Sequence, residues 1–234
     1  MSSLFVKVCG ISDPTTVKLA ADAGADAVGF VVNAPSSPRH LTLTQAESLI
    51  SSCPAGVKPV LVTRSASLEE ATRLASQHPE CLVQAHFPRR ALAGEVRRAL
   101  LGGAHLPLSR LVLPVDLDGL SYLRPEDERL RRTLERLAFV LLDCSEGRGL
   151  PLDVAAAKEV VRRLEPCRVV VAGGLGPENV ARVVRDVKPH GVDASSALES
   201  APGVKDPVRV AAFVQRAKGT VKPTTTNETR RKNH

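Results

Sequence analysis

Cys9 ends the apolar run Leu4-Phe5-Val6-Lys7-Val8 and is followed at once by Gly10 and by the helix-start signal Ser12-Asp13-Pro14. A thiol at a strand exit, ahead of a glycine turn, sits where a nucleophile or a base can meet a substrate. An inert core thiol has the same sequence signature, because cysteine is among the most buried residue types. Asp143 closes the apolar run Ala138–Leu142 in the same way; a carboxyl there serves as an acid or base, or caps a turn or a helix. A third signal is Ala172-Gly173-Gly174-Leu175-Gly176-Pro177-Glu178-Asn179, a glycine-rich passage from an apolar run into a helix, with Pro177 suited to the first helical turn. Glycines let backbone N–H groups approach an anion, and a helix N-terminus adds its dipole. Ser195 and Ser196 follow the apolar run at 191–194 and supply further donors. Gly173, Gly174, Ser195 and Ser196 therefore read as a phosphate site.

Eight short Val-rich runs position these groups: Leu4–Val8, Ala27–Val31, Lys58–Val62, Cys81–Ala85, Leu111–Val115, Ala138–Leu142, Arg168–Val171 and Gly191–Ala194. They are continuous rather than alternating in hydrophobicity, as strands buried on both faces are. Between them apolar residues recur at i, i+3, i+4 and i+7, as in Ala157/Val160/Val161/Leu164, Val180/Val183/Val184/Val187 and Val210/Phe213/Val214/Ala217. That spacing lays an apolar stripe along one face of a helix, and Leu92/Val96/Ala99/Leu100 is a close variant. Eight βα units of about 27 residues predict a single-domain α/β fold, the (β/α)8 or TIM barrel. An open doubly wound sheet is the structural rival. The residues at the strand exits are Cys9, Asn33, Thr63-Arg64, His86, Asp116, Asp143, Gly173-Gly174 and Asp193 with Ser195-Ser196. Nearly all are polar or glycine. A barrel gathers all its strand exits at one mouth, whereas an open sheet gathers only those near its switch point, so this convergence favours the barrel. Barrels also place phosphates after strands seven and eight, where the glycine turn and the serine pair fall. The least regular unit is the fifth, where a turn-like Asp-Leu-Asp-Gly precedes a basic helix over Pro125–Arg136.

The 234 residues are 43% apolar but only 3% aromatic, so the core must be built from Val, Leu and Ala. No apolar run approaches the roughly 18 residues that span a bilayer, and Met1-Ser2-Ser3 has no signal-peptide character. The expected location is the cytoplasm. The cysteines Cys9, Cys53, Cys81, Cys144 and Cys167 are odd in number and widely spaced, with neither a CxxC nor a zinc-like Cys/His spacing. Neither disulfides nor a metal is expected. The net charge of +7 is concentrated at one end: residues 218–234 hold Lys218, Lys222, Arg230, Arg231 and Lys232 against Glu228, a net +4. This divides the chain into a barrel domain over 1–217 and a basic, polar tail over 218–234, read as disordered and solvated rather than as a nucleic-acid arm.

Together, the motifs resemble one family. Lys7-Val8-Cys9-Gly10-Ile11-Ser12-Asp13-Pro14, Gly24-Ala25-Asp26-Ala27-Val28-Gly29-Phe30, Ser37-Pro38-Arg39 and Val83-Gln84-Ala85-His86 resemble blocks of phosphoribosylanthranilate isomerase, the tryptophan-pathway barrel. So do Leu141-Leu142-Asp143, the glycine turn at 172–180, Gly191-Val192-Asp193-Ala194-Ser195-Ser196 with Glu199, and Pro202-Gly203-Val204-Lys205-Asp206-Pro207. The resemblance runs in order from about residue 5 to 217 and is weakest over 90–137.

The resemblance implies an Amadori rearrangement of N-(5-phosphoribosyl)anthranilate to the carboxyphenylamino-deoxyribulose phosphate, without cofactor or metal. It implies Asp143 as general acid, Cys9 as general base, Arg39 on the anthranilate carboxylate and Asp193 near the substrate's amino group. His86 is taken as a substrate-side residue at the mouth, a hydrogen-bonding group rather than a catalyst. The implied partner is a small phosphoribosyl substrate, with no nucleic acid and no membrane, on a monomer or homodimer. The base role asks a thiol to lose its proton. Lys7 is near in sequence, but strand alternation is taken to separate it from Cys9. The acid role asks Asp143 to keep a proton, which burial among Leu141, Leu142 and Cys144 would favour.

The chain departs from the family pattern at several places. Ala197 stands where Ser-Ser-Gly is usual, Phe87 follows His86 in place of glycine, and Leu61-Val62-Thr63-Arg64 brings a cation to the mouth. A positive φ at 197 would strain an alanine and the phosphate cup with it. The loop after Asp143 is short, with Gly147-Arg148-Gly149 echoing the family's Gly-Thr-Gly. Two other functions fit parts of the sequence: a histidine-pathway-like or dual phosphosugar isomerase, against which Cys9 argues because that sister family uses two aspartates, and a non-catalytic phosphate-binding barrel with a basic interaction tail.

Overall fold

The computed structural model describes residues 3–64, 67–102, 107–118, 120, 127–144 and 152–220. Eight parallel strands follow one another around a closed barrel: β1 Phe5–Cys9, β2 Ala27–Val32, β3 Lys58–Arg64, β4 Leu82–His86, β5 Leu111–Val115, β6 Phe139–Asp143, β7 Val169–Ala172 and β8 Gly191–Ala194. β1 closes the ring. It pairs with β2 through Lys7↔Ala27 and Cys9↔Gly29, and with β8 through Phe5↔Gly191 and Lys7↔Asp193. An open sheet would leave one of those edges bare.

The helices form the outer ring: α1 Pro14–Asp22, α2 Leu43–Ser51, α3 Leu68–Gln77, a composite α4, α5 Glu128–Leu134, α6 Val154–Leu164, α7 Val180–Val187 and α8 Pro207–Gly219. Most of their starts are set by side-chain caps. Asp13 accepts from the Thr16 amide, Thr42 and Gln45 make a reciprocal capping box, and Asp206 accepts from Val208 and Arg209 ahead of Pro207. The apolar stripes of α6, α7 and α8 are buried at every expected position. α4 runs Arg89–Ala91, then a π turn Leu92–Val96, then Arg97–Gly102. The wider turn keeps Leu92, Val96 and Leu100 on the buried face although they are spaced by four.

The core has two compartments. Outward-facing strand residues such as Val6, Val8, Phe30 and Leu61 pack against the helices. Inward-facing ones fill the barrel, with Phe5 and Leu82 touching both the Val31/Val60 side and the Leu141/Val170 side. Two additions were not apparent from the sequence. His40–Leu41 adds a short parallel strand to β2, and Glu199–Ala201 pairs antiparallel with Val204–Lys205 after β8. Segments of two or three residues carry no periodicity to read.

α8 continues to Gly219, past the expected domain edge at 217. Lys218 belongs to that helix, where its Nζ donates to the Leu4 carbonyl at 2.8 Å and to Asp26 at 2.6 Å. The rest of the expected tail, 221–234, lies outside the described residues, as do the start of the expected basic helix at Pro125 and the Gly147-Arg148-Gly149 loop. Among the described residues no helix is long and apolar enough to cross a membrane.

Candidate active site

Side chains alternate faces along a strand, so residues two apart point the same way. In β1 this turns Phe5, Lys7 and Cys9 into the barrel. The separation of Lys7 from Cys9 expected from the sequence is therefore wrong, because alternation has a period of two. β2 makes room for both with Gly29: a Cβ there would lie 2.8 Å from the Cys9 sulfur and 3.3 Å from Lys7 Cε. Lys7 is fully buried, and its Nζ donates to Asp193 Oδ2 at 2.9 Å, an ion pair between register neighbours on β1 and β8. The second carboxylate oxygen, Asp193 Oδ1, is buried with no hydrogen-bond partner among the described residues.

These neighbours set the ionisation of the thiol. Burial pushes the Cys9 thiol up, Lys7 pulls it part of the way back, and Asp193 pushes it up again; the net is a rise. The ready loss of a proton that the base role asks for is thus opposed by burial and by Asp193. Burial also works against the Lys7 ammonium, but Asp193 and then Cys9 outweigh it and hold Lys7 above the usual lysine range.

Asp143 is the last residue of β6 and half-buried, in register with Ala172 of β7. Of its expected apolar neighbours, Leu141 shares its inward face, while Leu142 points out toward the helices. His86, at the end of β4, shares a 3.0 Å hydrogen bond with the Gln84 amide. Burial lowers its pKa to about 4, assisted by Arg64 on the adjoining strand and opposed by Asp143. His86 is thus a neutral imidazole at ordinary pH.

The rim is tied by an ionic network. Arg39 donates to Glu199 through Nε at 2.6 Å and Nη2 at 2.7 Å. Lys205 donates to the same carboxylate at 2.7 Å and to the Ser195 carbonyl at 3.1 Å. Gly10 has a φ of +73°, and a Cβ there would lie 2.5 Å from Arg39 Cδ, so the turn after Cys9 admits the arginine only as glycine. Glu199 and Lys205 stand among the motifs of the sequence, but their roles here depend on the short hairpin that brings them together.

On the adjoining strand exit, Gly173 and Gly174 take φ values of +86° and +66°. Asn179 braces the turn: its Oδ1 accepts from the Gly176 amide at 2.9 Å and its Nδ2 donates to the Gly174 carbonyl at 2.8 Å. Ala197 lies in a 3-10 turn, Ser196–Leu198, and is not among the residues with positive φ. The strain anticipated for an alanine there does not arise, because the turn uses ordinary right-handed geometry.

The nine residues singled out from the sequence, Cys9, Arg39, His86, Asp143, Gly173, Gly174, Asp193, Ser195 and Ser196, all line one cavity of about 180 Å³ at the C-terminal mouth of the barrel. Arg64 and Gln84 join them. Other strand-exit residues do not. Thr63 points outward and donates to Glu70, Asn33 turns to the same glutamate, and Asp116 lines a neighbouring cavity with Arg64, His86 and Asp143. Lys7 was missed as a site residue. The signal was there, since a lysine in the middle of a fully apolar strand is seldom buried without a partner. Among the described residues no group of three or more His, Cys, Asp or Glu side chains is placed to hold a metal ion.

A thiol and a carboxyl facing each other across a cavity with an anion-suited rim is an arrangement for acid–base chemistry on a phosphorylated molecule. Residues 6–216 match the family model described as N-(5'phosphoribosyl)anthranilate (PRA) isomerase. The chain is 38% identical over 218 residues to the N-(5'-phosphoribosyl)anthranilate isomerase of Rubrobacter xylanophilus, covering 91% of this chain and 98% of that one. Among solved structures it resembles TrpF from Jonesia denitrificans, with a TM-score of 0.71, 33% identity, and coverage of 93% and 98%. It also resembles a phosphoribosyl anthranilate isomerase in complex with reduced 1-(o-carboxyphenylamino)-1-deoxyribulose 5-phosphate, with a TM-score of 0.66, 28% identity, and coverage of 92% and 99%. The chain belongs to the N-(5'-phosphoribosyl)anthranilate isomerase family.

Proposed function

We propose that this chain converts N-(5'-phosphoribosyl)anthranilate to 1-(2-carboxyphenylamino)-1-deoxyribulose 5-phosphate in tryptophan biosynthesis, with Asp143 as the general acid and Cys9 as the general base. The observation that carries the assignment of roles is their placement. The two groups come from β1 and β6, three strands apart around the barrel, and line one cavity with a glycine–serine rim.

The phosphate sits against Gly173, Gly174, Ser195 and Ser196, where backbone and hydroxyl donors meet it. Asp143 hands a proton to the ribose ring oxygen, and the ring opens to an iminium at C1′. That cation favours the Cys9 thiolate, which burial disfavours. The thiolate takes the C2′ proton, and the C–H pair becomes the C1′=C2′ bond while the iminium nitrogen becomes neutral. The resulting enolamine tautomerises to the ketone. No step calls on a cofactor.

Asp193 Oδ1, without a partner among the described residues, accepts from the anilino N–H. Arg39 has spent Nε and one Nη2 hydrogen on Glu199, so its remaining Nη hydrogens meet the anthranilate carboxylate. His86, neutral, contributes a hydrogen bond and no charge.

The test is loss of anthranilate fluorescence as purified protein consumes phosphoribosylanthranilate. Activity is expected; an inactive protein, where a control isomerase works, contradicts the reading.

A further inference from the structure

Lys7 has no place in the mechanism as stated, yet it is buried beside Asp193, which lines the site. Its side chain is wholly buried, and its Nζ meets Asp193 Oδ2 at 2.9 Å. The other carboxylate oxygen has no partner among the described residues, and Asp193 lines the cavity. A buried ion pair is a poor way to stabilise a core, because apolar residues of similar volume do as well or better. Elsewhere this barrel interior is filled that way, by Phe5, Leu82 and Phe139. An orphaned carboxylate oxygen adds a further cost unless a ligand satisfies it.

The second observation is Gly29. The Cys9 sulfur and Lys7 Cε both lie against the point where its Cβ would stand, at 2.8 and 3.3 Å. The two atoms are therefore within about 6 Å of each other, close enough for one charge to shift a neighbour's titration.

We propose that Lys7 is a positioning residue of the reaction: it pins one oxygen of Asp193 so that the other faces the substrate, and its ammonium stabilises the thiolate of Cys9. The proposal rests on Cys9 acting as the base. Asp193 and Cys9 compete for one ammonium, so removing either changes what Lys7 does for the other. The charged groups around Cys9 are Lys7 on β1, Asp193 on β8 and Lys205 on the following hairpin. Arg39, Arg64, His86 and Asp143 stand around the same cavity.

The test is the pH dependence of Cys9 alkylation by iodoacetamide, read on the Cys9 peptide by mass spectrometry, so that the other four cysteines do not interfere. Wild type, Asp193→Asn and Lys7→Met/Asp193→Asn are compared, the double variant leaving no uncompensated buried charge. In Asp193→Asn the ammonium is released to Cys9, and the midpoint is expected to fall by roughly one unit. In the double variant it is expected to rise roughly one to two units above that of Asp193→Asn. The acidic limb of kcat/KM should follow the Cys9 midpoint, which a purely structural lysine would not produce. A midpoint that holds or rises in Asp193→Asn overturns the proposal, as does coincidence of the two variants. If that double variant does not fold, Lys7→Gln/Asp193→Asn, which keeps a polar side chain, takes its place. The alkylation readout is independent of turnover: inactive wild-type protein would count against the isomerase reading and leave the Lys7 test standing.

Discussion

Arg39 and Glu199 meet as a two-pronged pair, Nε to Oε1 at 2.6 Å and Nη2 to Oε2 at 2.7 Å, joining the loop after β2 to the hairpin after β8. Lys205 shares the same carboxylate. Glu199 therefore stations two cations at the rim, and through Lys205 it reaches Ser195. Glu199→Gln is expected to raise KM by roughly tenfold or more while leaving kcat within a few-fold, because Cys9 and Asp143 are held by other strands. Stability should fall by about 2–3 kcal/mol, less than the full cost of breaking a buried pair, since the Arg39 side chain keeps 22% of its surface in water. Steady-state kinetics and denaturant melts check both parts.

Ala197 is accommodated beside the glycine turn proposed to hold the phosphate. A Cβ at Gly176 would come within 3.2 Å of the Ala197 methyl, so the glycine turn already yields space to it. Ala197→Gly is expected to leave KM within about twofold of wild type, surface changes without a named mechanism being small. Gly176→Ala crowds the same spot and should weaken phosphate binding. Both follow from KM and from inhibition by inorganic phosphate.

His86 gives a pH dependence of stability. Its pKa in the folded protein is about 4, against 6.5 for an ordinary histidine. Between those values the unfolded chain binds the proton and the folded one does not, so acid favours unfolding. The stability that neutral His86 confers is complete above pH 6.5 and is lost as pH falls toward 4. His86→Asn removes this component. Thermal melts at pH 7 and pH 4.5 should show a smaller drop in Tm for the variant than for wild type.

Lys218 fixes the end of the barrel domain. Its contacts with Leu4 and Asp26 tie α8 to the bottom of β1 and β2. Deleting 221–234 is expected to leave turnover and Tm nearly unchanged, whereas deleting 218–234 should lower Tm by a few degrees. The loss is modest because Lys218 and Asp26 are about one-third exposed. Calorimetry on the two truncations distinguishes them.

Much of this architecture was legible in the sequence, and the exceptions have physical causes. Val-rich runs and four-residue apolar stripes located the eight strands and most helices because burial on both faces leaves a strong pattern. Strand ends then located the site, since a barrel brings all of them to one mouth. Cys9, His86 and Asp143 turned out to be the last residues of their strands rather than to lie just beyond them, which holds them more rigidly. Lys7 was misplaced by counting alternation from the wrong neighbour. The Arg39–Glu199–Lys205 network depends on strands too short to leave a periodic signal. Whether an alanine at 197 is strained is a property of φ, and only the backbone could answer it.

The most direct measurement is turnover of phosphoribosylanthranilate by wild type, Cys9→Ala and Asp143→Asn side by side, followed by anthranilate fluorescence. Wild type should be active, and each variant should lose roughly 10²–10⁴-fold in kcat, the usual contribution of a positioned acid or base. An active wild type with either variant within tenfold of it would contradict the assignment of the base and the acid.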